Sequence, residues 1–481
     1  MRTLPLVLLG VPIGLVMGVL PGLGGIVTLA LLLPFIFGMQ PGPALAFLLA
    51  AHAVICTGGS VTAILVNIPG AAPNAATLID GFPMTQKGQA GRALGSALVA
   101  SGLGGIFGGI VLIFLIFAVR PIVMAFGIPE YFFLIFLGIS MIAVVGSESG
   151  LHGLISGVLG IFISFVGLQP ASGEPRFWFG SLELLEGFEI IPVALGIFAM
   201  PEIVDLFVRR RTIAQVSRTS VSAGLVWEGA KDILRHFRLF IQSSIIGTAI
   251  GIIPGVGGDV APFVAYGMAK QTSKHPEKYG YGYVEGVIAP EGANNAKEGG
   301  ALLPTLAFGI PGSAGMAVML GAFIVVGLQP GPLFLNEHVD IAFALAGTII
   351  FANILGVAVL LPVADKLTHI AFVRGSILGP VVLIFVVVGG FCARGNLWDV
   401  VFVLAFGGLG YAMKVFGYNR PAFFLGFILG EMAETHLGIA IETYGPLFFL
   451  RPISIALLLL TMVTLFHNQI RAKFASRQND S

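Results

Sequence analysis

Charge is what this sequence has least of. Lys, Arg, Asp and Glu together make up 10% of the 481 residues, against roughly 25% in an ordinary soluble protein. A soluble fold of this length needs far more charge to cover its surface. That excludes a water-soluble protein and points to an integral membrane protein. Cysteine is nearly absent as well. Cys56 and Cys392 both lie in apolar runs, which excludes a disulfide scaffold and a Cys-rich metal site. The formal net charge of +1 leaves no basic excess with which to hold nucleic acid. No Ser/His/Asp motif or phosphate loop is present. Glu431, Glu434 and His436 do not share one helical face as a zinc helix requires. No enzyme activity and no bound cofactor are expected.

Apolar residues (56%) and 67 glycines fill the chain instead. From Thr3 to Ile79 no charged residue occurs, a run of 77 residues. About 20 helical residues cross the ~30 Å hydrocarbon core, so this run alone suffices for about three crossings. Further charge-free runs follow at Ala93–Val119, Ser149–Gly173, Leu239–Gly258, Gly299–Asn336, Ile341–Ala364, Gly375–Ala393 and Pro452–Ile470. All have helical length, so the expectation is an all-α membrane protein of about 10–12 transmembrane helices rather than a β-barrel. The start reads as an uncleaved first span, because no small-residue cleavage site follows it.

Basic residues set the expected orientation. Arg209, Arg210, Arg211, Arg218, Lys231, Arg235 and Arg238 crowd one segment, and Arg471, Lys473 and Arg477 follow the last run. Both segments are expected on the cytoplasmic side. The expected organisation is a first membrane half over 1–208, a basic cytoplasmic linker over 209–238, a second half over 239–466 and a cytoplasmic tail over 467–481.

The halves resemble each other. Residues 14–25 read GLVMGVLPGLGG and residues 247–258 read GTAIGIIPGVGG, an offset of 233. Downstream, Gly58-Gly59 leads to Ile68-Pro69-Gly70, and Gly299-Gly300 leads to Ile310-Pro311-Gly312, at offsets of 241 and 242. Matched Gly/Pro-broken apolar segments in two halves are the sequence pointer to a secondary transporter site. Lipid cannot satisfy free backbone groups, so broken helices survive only inside protein or against water. Amides exposed at such a break hold anions.

The expected substrate-binding residues follow from this pattern. Gly24, Gly25, Gly257 and Gly258 belong to the two Pro-Gly-x-Gly-Gly breaks. Gly10, Gly14, Gly18 and Gly22, spaced by four, suit close helix packing instead. Gly59, Ser60 and Asn67 belong to the second element of the first half. Asn294, Asn295, Gly300 and Ser313 belong to that of the second half, with a polar break expected at 291–296 and a solvated loop as the alternative. Asp80, Asp259 and Glu291 flank these elements as coupling-ion residues, with plain loop or capping roles as the alternative. His52 and His152 are expected to be packing residues. Few cations lie in the runs, so helix ends are expected to supply most of the positive potential.

The motifs PGLGG at 21–25, GGS at 58–60, NIPG at 67–70, DGFPM at 80–84 and KGQA at 87–90 carry a family resemblance. So do PGVGG at 254–258, AYGMAK at 265–270, SKHPE at 273–277, EGVIAPEGANNA at 285–296, GGALLPTL at 299–306 and GIPGS at 309–313. The chain resembles the large membrane subunit of bacterial tripartite tricarboxylate transporters. It departs from that pattern at Thr57, where the family has an aromatic residue, and in a short N-terminal lead. The resemblance implies an inner-membrane carrier that imports a tricarboxylate such as citrate, or a related dicarboxylate, with a Na+ or H+ gradient. It also implies a periplasmic solute-binding protein that delivers substrate and a small membrane subunit of about four spans. The alternative is a channel or a structural scaffold of another transport complex.

Overall fold

Apolar runs this long leave the backbone no partner but itself, and helix is the outcome. The structure, a computed structural model, describes residues 3–20, 23–145, 150–170, 172–209, 221–254, 258–365 and 375–465. Within them the first half contains α1 (Thr3–Val19), α2 (Gly25–Leu32), α3 (Pro41–Val66), α4 (Ala75–Gln86), α5 (Ala90–Val123), α6 (Ile128–Val145) and α7 (Gly150–Ser164). A short antiparallel hairpin of β1 (Gly167–Leu168) and β2 (Pro175–Arg176) follows, then α8 (Leu182–Leu185), α9 (Ile190–Ala194) and α10 (Met200–Arg209). A π-helical turn over Leu195–Ala199 joins the last two into one span. The remainder contains α11 (Ala223–Arg235), α12 (Phe237–Ile252), α13 (Ala261–Thr272), α14 (Glu285–Phe308), α15 (Ala314–Val325) and α16 (Phe334–Glu337). It ends with α17 (Val339–Leu360), α18 (Gly375–Phe391), α19 (Leu397–Val415), α20 (Arg420–Tyr444) and α21 (Pro452–Leu465).

The fold is thus an all-α membrane protein. Six helices among the described residues are long and apolar enough to cross a membrane, and eight shorter apolar helices run 10–17 residues. The expected 10–12 crossings counted whole apolar runs. Gly/Pro clusters divide several of those runs between two shorter helices, as α1 and α2 divide residues 3–36.

Two central helices organise a core. α3 packs on α1 and α14 on α12, while α5 lies along α14 and α17 along α3. A second group surrounds them, with α20 against α6 and α7, α21 against α6, and α10 against α18 and α19. The groups meet where α2 and α15 touch the π turn, α9 and α20.

Glycine allows backbones to touch at the core. A Cβ at Gly14 would collide with the carbonyl of Ala51, and one at Gly18 with that of Ile55. In the second half Gly247 meets Ala293 and Gly251 meets Lys297 in the same way. Gly58 meets Leu15, and Gly300 meets Thr248. These contacts correct the register of the repeat. Gly58 corresponds to Gly300 at offset 242, and Gly59 to Ala301. Gly14→Ala is expected to destabilise the α1–α3 contact by about 1–3 kcal/mol through overpacking, read as a lower melting temperature in detergent.

Both central helices end identically. Asn67 (φ 60°) and Gly309 (φ 66°) take the left-handed conformation that stops a helix. Pro69 and Pro311 follow two residues later and prevent its resumption. The polar break expected at 291–296 is not a break, since α14 runs through it from Glu285 to Phe308 and is buried from Gly286 to Ala307.

The expected linker 209–238 contains α11, which packs on α5. Arg92 clamps Asp232 at 2.5 and 3.1 Å, and Arg235 adds a third contact at 2.9 Å. The rest of the arginine cluster (Arg210, Arg211 and Arg218), the tail 467–481 and site residue Gly257 lie outside the described residues.

Candidate functional site

A cavity of about 200 Å³ opens where the two helix groups meet. Both repeats contribute to it. Gly24 and Gly25 come from the break before α2, and Asp259 from the corresponding turn before α13. Ala71, Ala72 and Pro73 come from the segment after α3, and Ser313 and Gly315 from the segment after α14. The surrounding group adds Phe198 and Glu202 from the α9–α10 span and Arg420 and Pro421 from the start of α20. Such a volume lies below the ~300–1,000 Å³ of drug-sized ligand sites, so it suits a small metabolite.

Each break has a local cause. Glycines 24 and 25 remove side chains where His52 and the backbone of Gly70 come close. A Cβ at Gly25 would sit 2.9 Å from the His52 ring. At the corresponding Gly258, a Cβ would sit 2.7 Å from Cδ of Lys297. Ser313 starts α15, and its hydroxyl accepts the Met316 amide at 3.2 Å.

Two cations face this space. Lys297 is 3% exposed and lies 3.1 Å from Glu298 and 3.4 Å from Asp259. His52 Nε2 lies 3.2 Å from the other oxygen of Glu298. Arg420 reaches Glu202 at 3.3 Å, and Glu202 also holds Lys414 at 2.7 Å. An ammonium and a guanidinium therefore line the cavity beside the helix ends, each of them paired with a carboxylate. His52 is a cavity residue as well as a packed one. His152 stacks on Tyr418 at 4.6 Å.

Of the expected site residues, Gly24, Gly25, Asp259 and Ser313 line the cavity, and Gly258 lies beneath Lys297. The other described ones stand apart from it. Gly59 packs against Asn74, and Gly300 against α12. Asn67 caps α3 at an exposed position. Asn295 is buried and donates to the Ala53 carbonyl (3.2 Å), Thr57 (2.8 Å) and Asn353 (2.7 Å). Asn294 is also buried, and neither of its side-chain polar atoms makes a hydrogen bond.

Asp80 is fully buried and accepts from the amides of Gly280, Gly282 and Tyr283 and from the Tyr266 hydroxyl. It ties α4 to the loop before α14. Ser60 donates to Glu291 at 2.6 Å, and the Thr77 hydroxyl donates to the same oxygen.

Lys297, Glu298, Glu202 and Arg420 were missing from the sequence reading. One signal existed for two of them. The Lys297-Glu298 pair stands directly before the charge-free run Gly299–Asn336. The two repeats differ at this point. At offset 242, Lys297 and Glu298 correspond to Ile55 and Cys56, and Asn294 to His52.

Comparison with known proteins agrees with this architecture. Residues 4–425 match the Tripartite tricarboxylate transporter TctA family. An uncharacterized 52.8 kDa protein in the TAR-I ttuC′ 3′ region of Agrobacterium vitis is 35% identical over 435 residues, covering 89% of this chain and 85% of the relative. An uncharacterized protein in the TAR-II ttuC′ 3′ region of the same organism is 33% identical over 220 residues, covering 45% of this chain and 91% of that relative. No solved structure matches the chain. With a family match over most of its length, the chain belongs to the tripartite tricarboxylate transporter TctA family.

Proposed function

We propose that this chain is the permease that carries a di- or tricarboxylate across the inner membrane, driven by a Na+ or H+ gradient. The observation that carries this reading is a cavity lined by both Lys297 and Arg420. One carboxylate of the substrate meets Lys297 and the amides near Gly24, Gly25 and Ser313. A second meets Arg420, whose planar fork matches a carboxylate. Asn294, which has unsatisfied polar atoms, serves substrate once the core moves.

Charge balance supports coupling to a cation. Among the lining residues Lys297 and Arg420 stand against Asp259, Glu298 and Glu202, an excess of one acidic side chain. A di- or trianion adds to this excess in a poorly solvated space, where uncompensated charge costs several kcal/mol. A cation travelling with the substrate restores the balance. Alternating access then follows from movement of the core against the surrounding helices, since the cavity lies between them.

The partners in this reading are a periplasmic binding protein that delivers substrate and a small membrane subunit of about four spans. Loop 209–238 and the C-terminus face the cytoplasm. The test is uptake of labelled citrate, tartrate and C4-dicarboxylates into proteoliposomes holding the chain and its partners, under imposed Na+ or H+ gradients. Saturable, gradient-dependent uptake is expected. Non-saturating flux that ignores the gradient would instead indicate the channel alternative.

A further inference from the structure

Glu291 lies within α14 and, unlike Glu298, does not line the cavity. It is fully buried and, among the described residues, has no basic partner within ion-pair distance. Its Oε1 accepts from Ser60 at 2.6 Å and from Thr77. Its Oε2 is buried and makes no hydrogen bond. The Cys56 carbonyl lies 2.8 Å from Ser60 Oγ, and Asn74 donates to both, at 2.8 and 2.9 Å. Ser101 stands against the same carboxyl group, its hydroxyl 3.0 Å from that of Thr57. Oxygen atoms from α3, α4, α5 and α14 therefore converge on one buried carboxylate.

A bare carboxylate here is an unpaired buried charge, which costs several kcal/mol. A hard monovalent metal cation takes several oxygen ligands at once and supplies the missing charge. A proton donated to Ser60 Oγ, whose own hydroxyl then turns to the Cys56 carbonyl, is the competing way to neutralise it, and the response to acidification separates the two. We propose that Glu291, Ser60, Thr77 and the Cys56 carbonyl form a Na+ site, an assignment that gives the cation-driven transport proposed above its coupling ion.

The second repeat supports one such site and not two. At offset 242, Ser60, Asn74 and Thr77 correspond to Leu302, Met316 and Met319, and Glu291 corresponds to Leu49. The polar set has no counterpart. It is also placed to act on the cavity. Cys56 and Pro73 line the cavity wall; Cys56 is in the shell, and Pro73 precedes Asn74, which donates to the Cys56 carbonyl and to Ser60. Na+ held there fixes the carbonyl of Cys56 and the 71–74 segment in the arrangement that the substrate meets.

The test uses the purified full-length chain in detergent without carboxylate. Binding of 22Na+ is measured directly, and melting temperature is compared in NaCl and in choline chloride of equal ionic strength at fixed pH. Saturable 22Na+ binding and a NaCl-specific rise in melting temperature are expected. Glu291→Gln should abolish both. Ser60→Ala and Thr77→Val should each weaken Na+ binding by roughly tenfold, as loss of a supporting ligand does, and they decide the matter if the Glu291 variant does not fold. Equal stabilisation by choline chloride, stabilisation that follows acidification rather than Na+, or unchanged Na+ binding in both hydroxyl variants would overturn the site. Because no carboxylate is present, a chain that binds Na+ but imports none keeps the site and loses only the transport reading.

Discussion

Lys297→Met is expected to reduce carboxylate uptake by more than about 100-fold. Removing one partner of a buried ion pair costs about 3–5 kcal/mol, and each 1.4 kcal/mol is tenfold in an equilibrium constant. The substitution also leaves Glu298, 2% exposed, facing any arriving anion with only His52 to offset it. Part of the loss would come from folding, so a companion variant separates the two causes. Lys297→Met combined with Glu298→Gln removes both charges and should recover melting temperature, since a neutral pair no longer requires compensation. It should not recover uptake, because the ammonium that meets the substrate is still missing. Uptake restored to the original level in the double variant would remove Lys297 from the binding site.

The second large effect is expected at Arg420. Arg420→Gln should raise the KM for a dicarboxylate by about 10–100-fold, the equivalent of losing a hydrogen-bonded charge worth about 1.5–3 kcal/mol. Stability should change little, because Glu202 retains Lys414 at 2.7 Å. The discriminating measurement is a comparison of substrates. If Lys297 and Arg420 each hold one carboxylate, the variant should lose most of the preference for a dicarboxylate over the matching monocarboxylate. Arg420→Lys should restore only part of it, since an ammonium lacks the planar fork. A KM that rises equally for both substrates would assign Arg420 to the architecture of the cavity rather than to recognition.

Much of this fold was legible in the sequence, and the misses share one cause. Absence of charge over long runs located α3, α5 and α17. The paired Pro-Gly-x-Gly-Gly motifs marked both breaks, and Asp259, expected beside the second as a coupling-ion residue, lines the cavity. The stretch 291–296 was harder. Read alone, its carboxylate, paired amides and neighbouring glycines suggest a polar break. In the structure it is a buried helix, because partners distant in the chain receive its polar groups. Ser60 and Thr77 reach Glu291, Thr57 and Asn353 reach Asn295, and His52 reaches Glu298. Local propensity carries no information about partners 58–242 residues away, which are the separations of Asn353 and Ala53 from Asn295. Arg420 was hidden for a related reason. In sequence it begins an ordinary helix after Asn419, and only packing brings that helix end to the core.

The unequal repeats described above bear on how mutations are tolerated. A chain assembled from two like halves starts with each position represented twice, and the two copies are free to diverge. Here the half containing α14 has Lys297, Glu298 and Glu291 where α3 has Ile55, Cys56 and Leu49 at the matching places. Inherited variation should therefore fall unevenly. Exchange among small apolar side chains at positions 49 and 55 should pass selection as repacking, whereas the α14 residues should admit almost nothing. For the same reason one chain should move one organic anion per cycle, despite having been built from two copies of one plan.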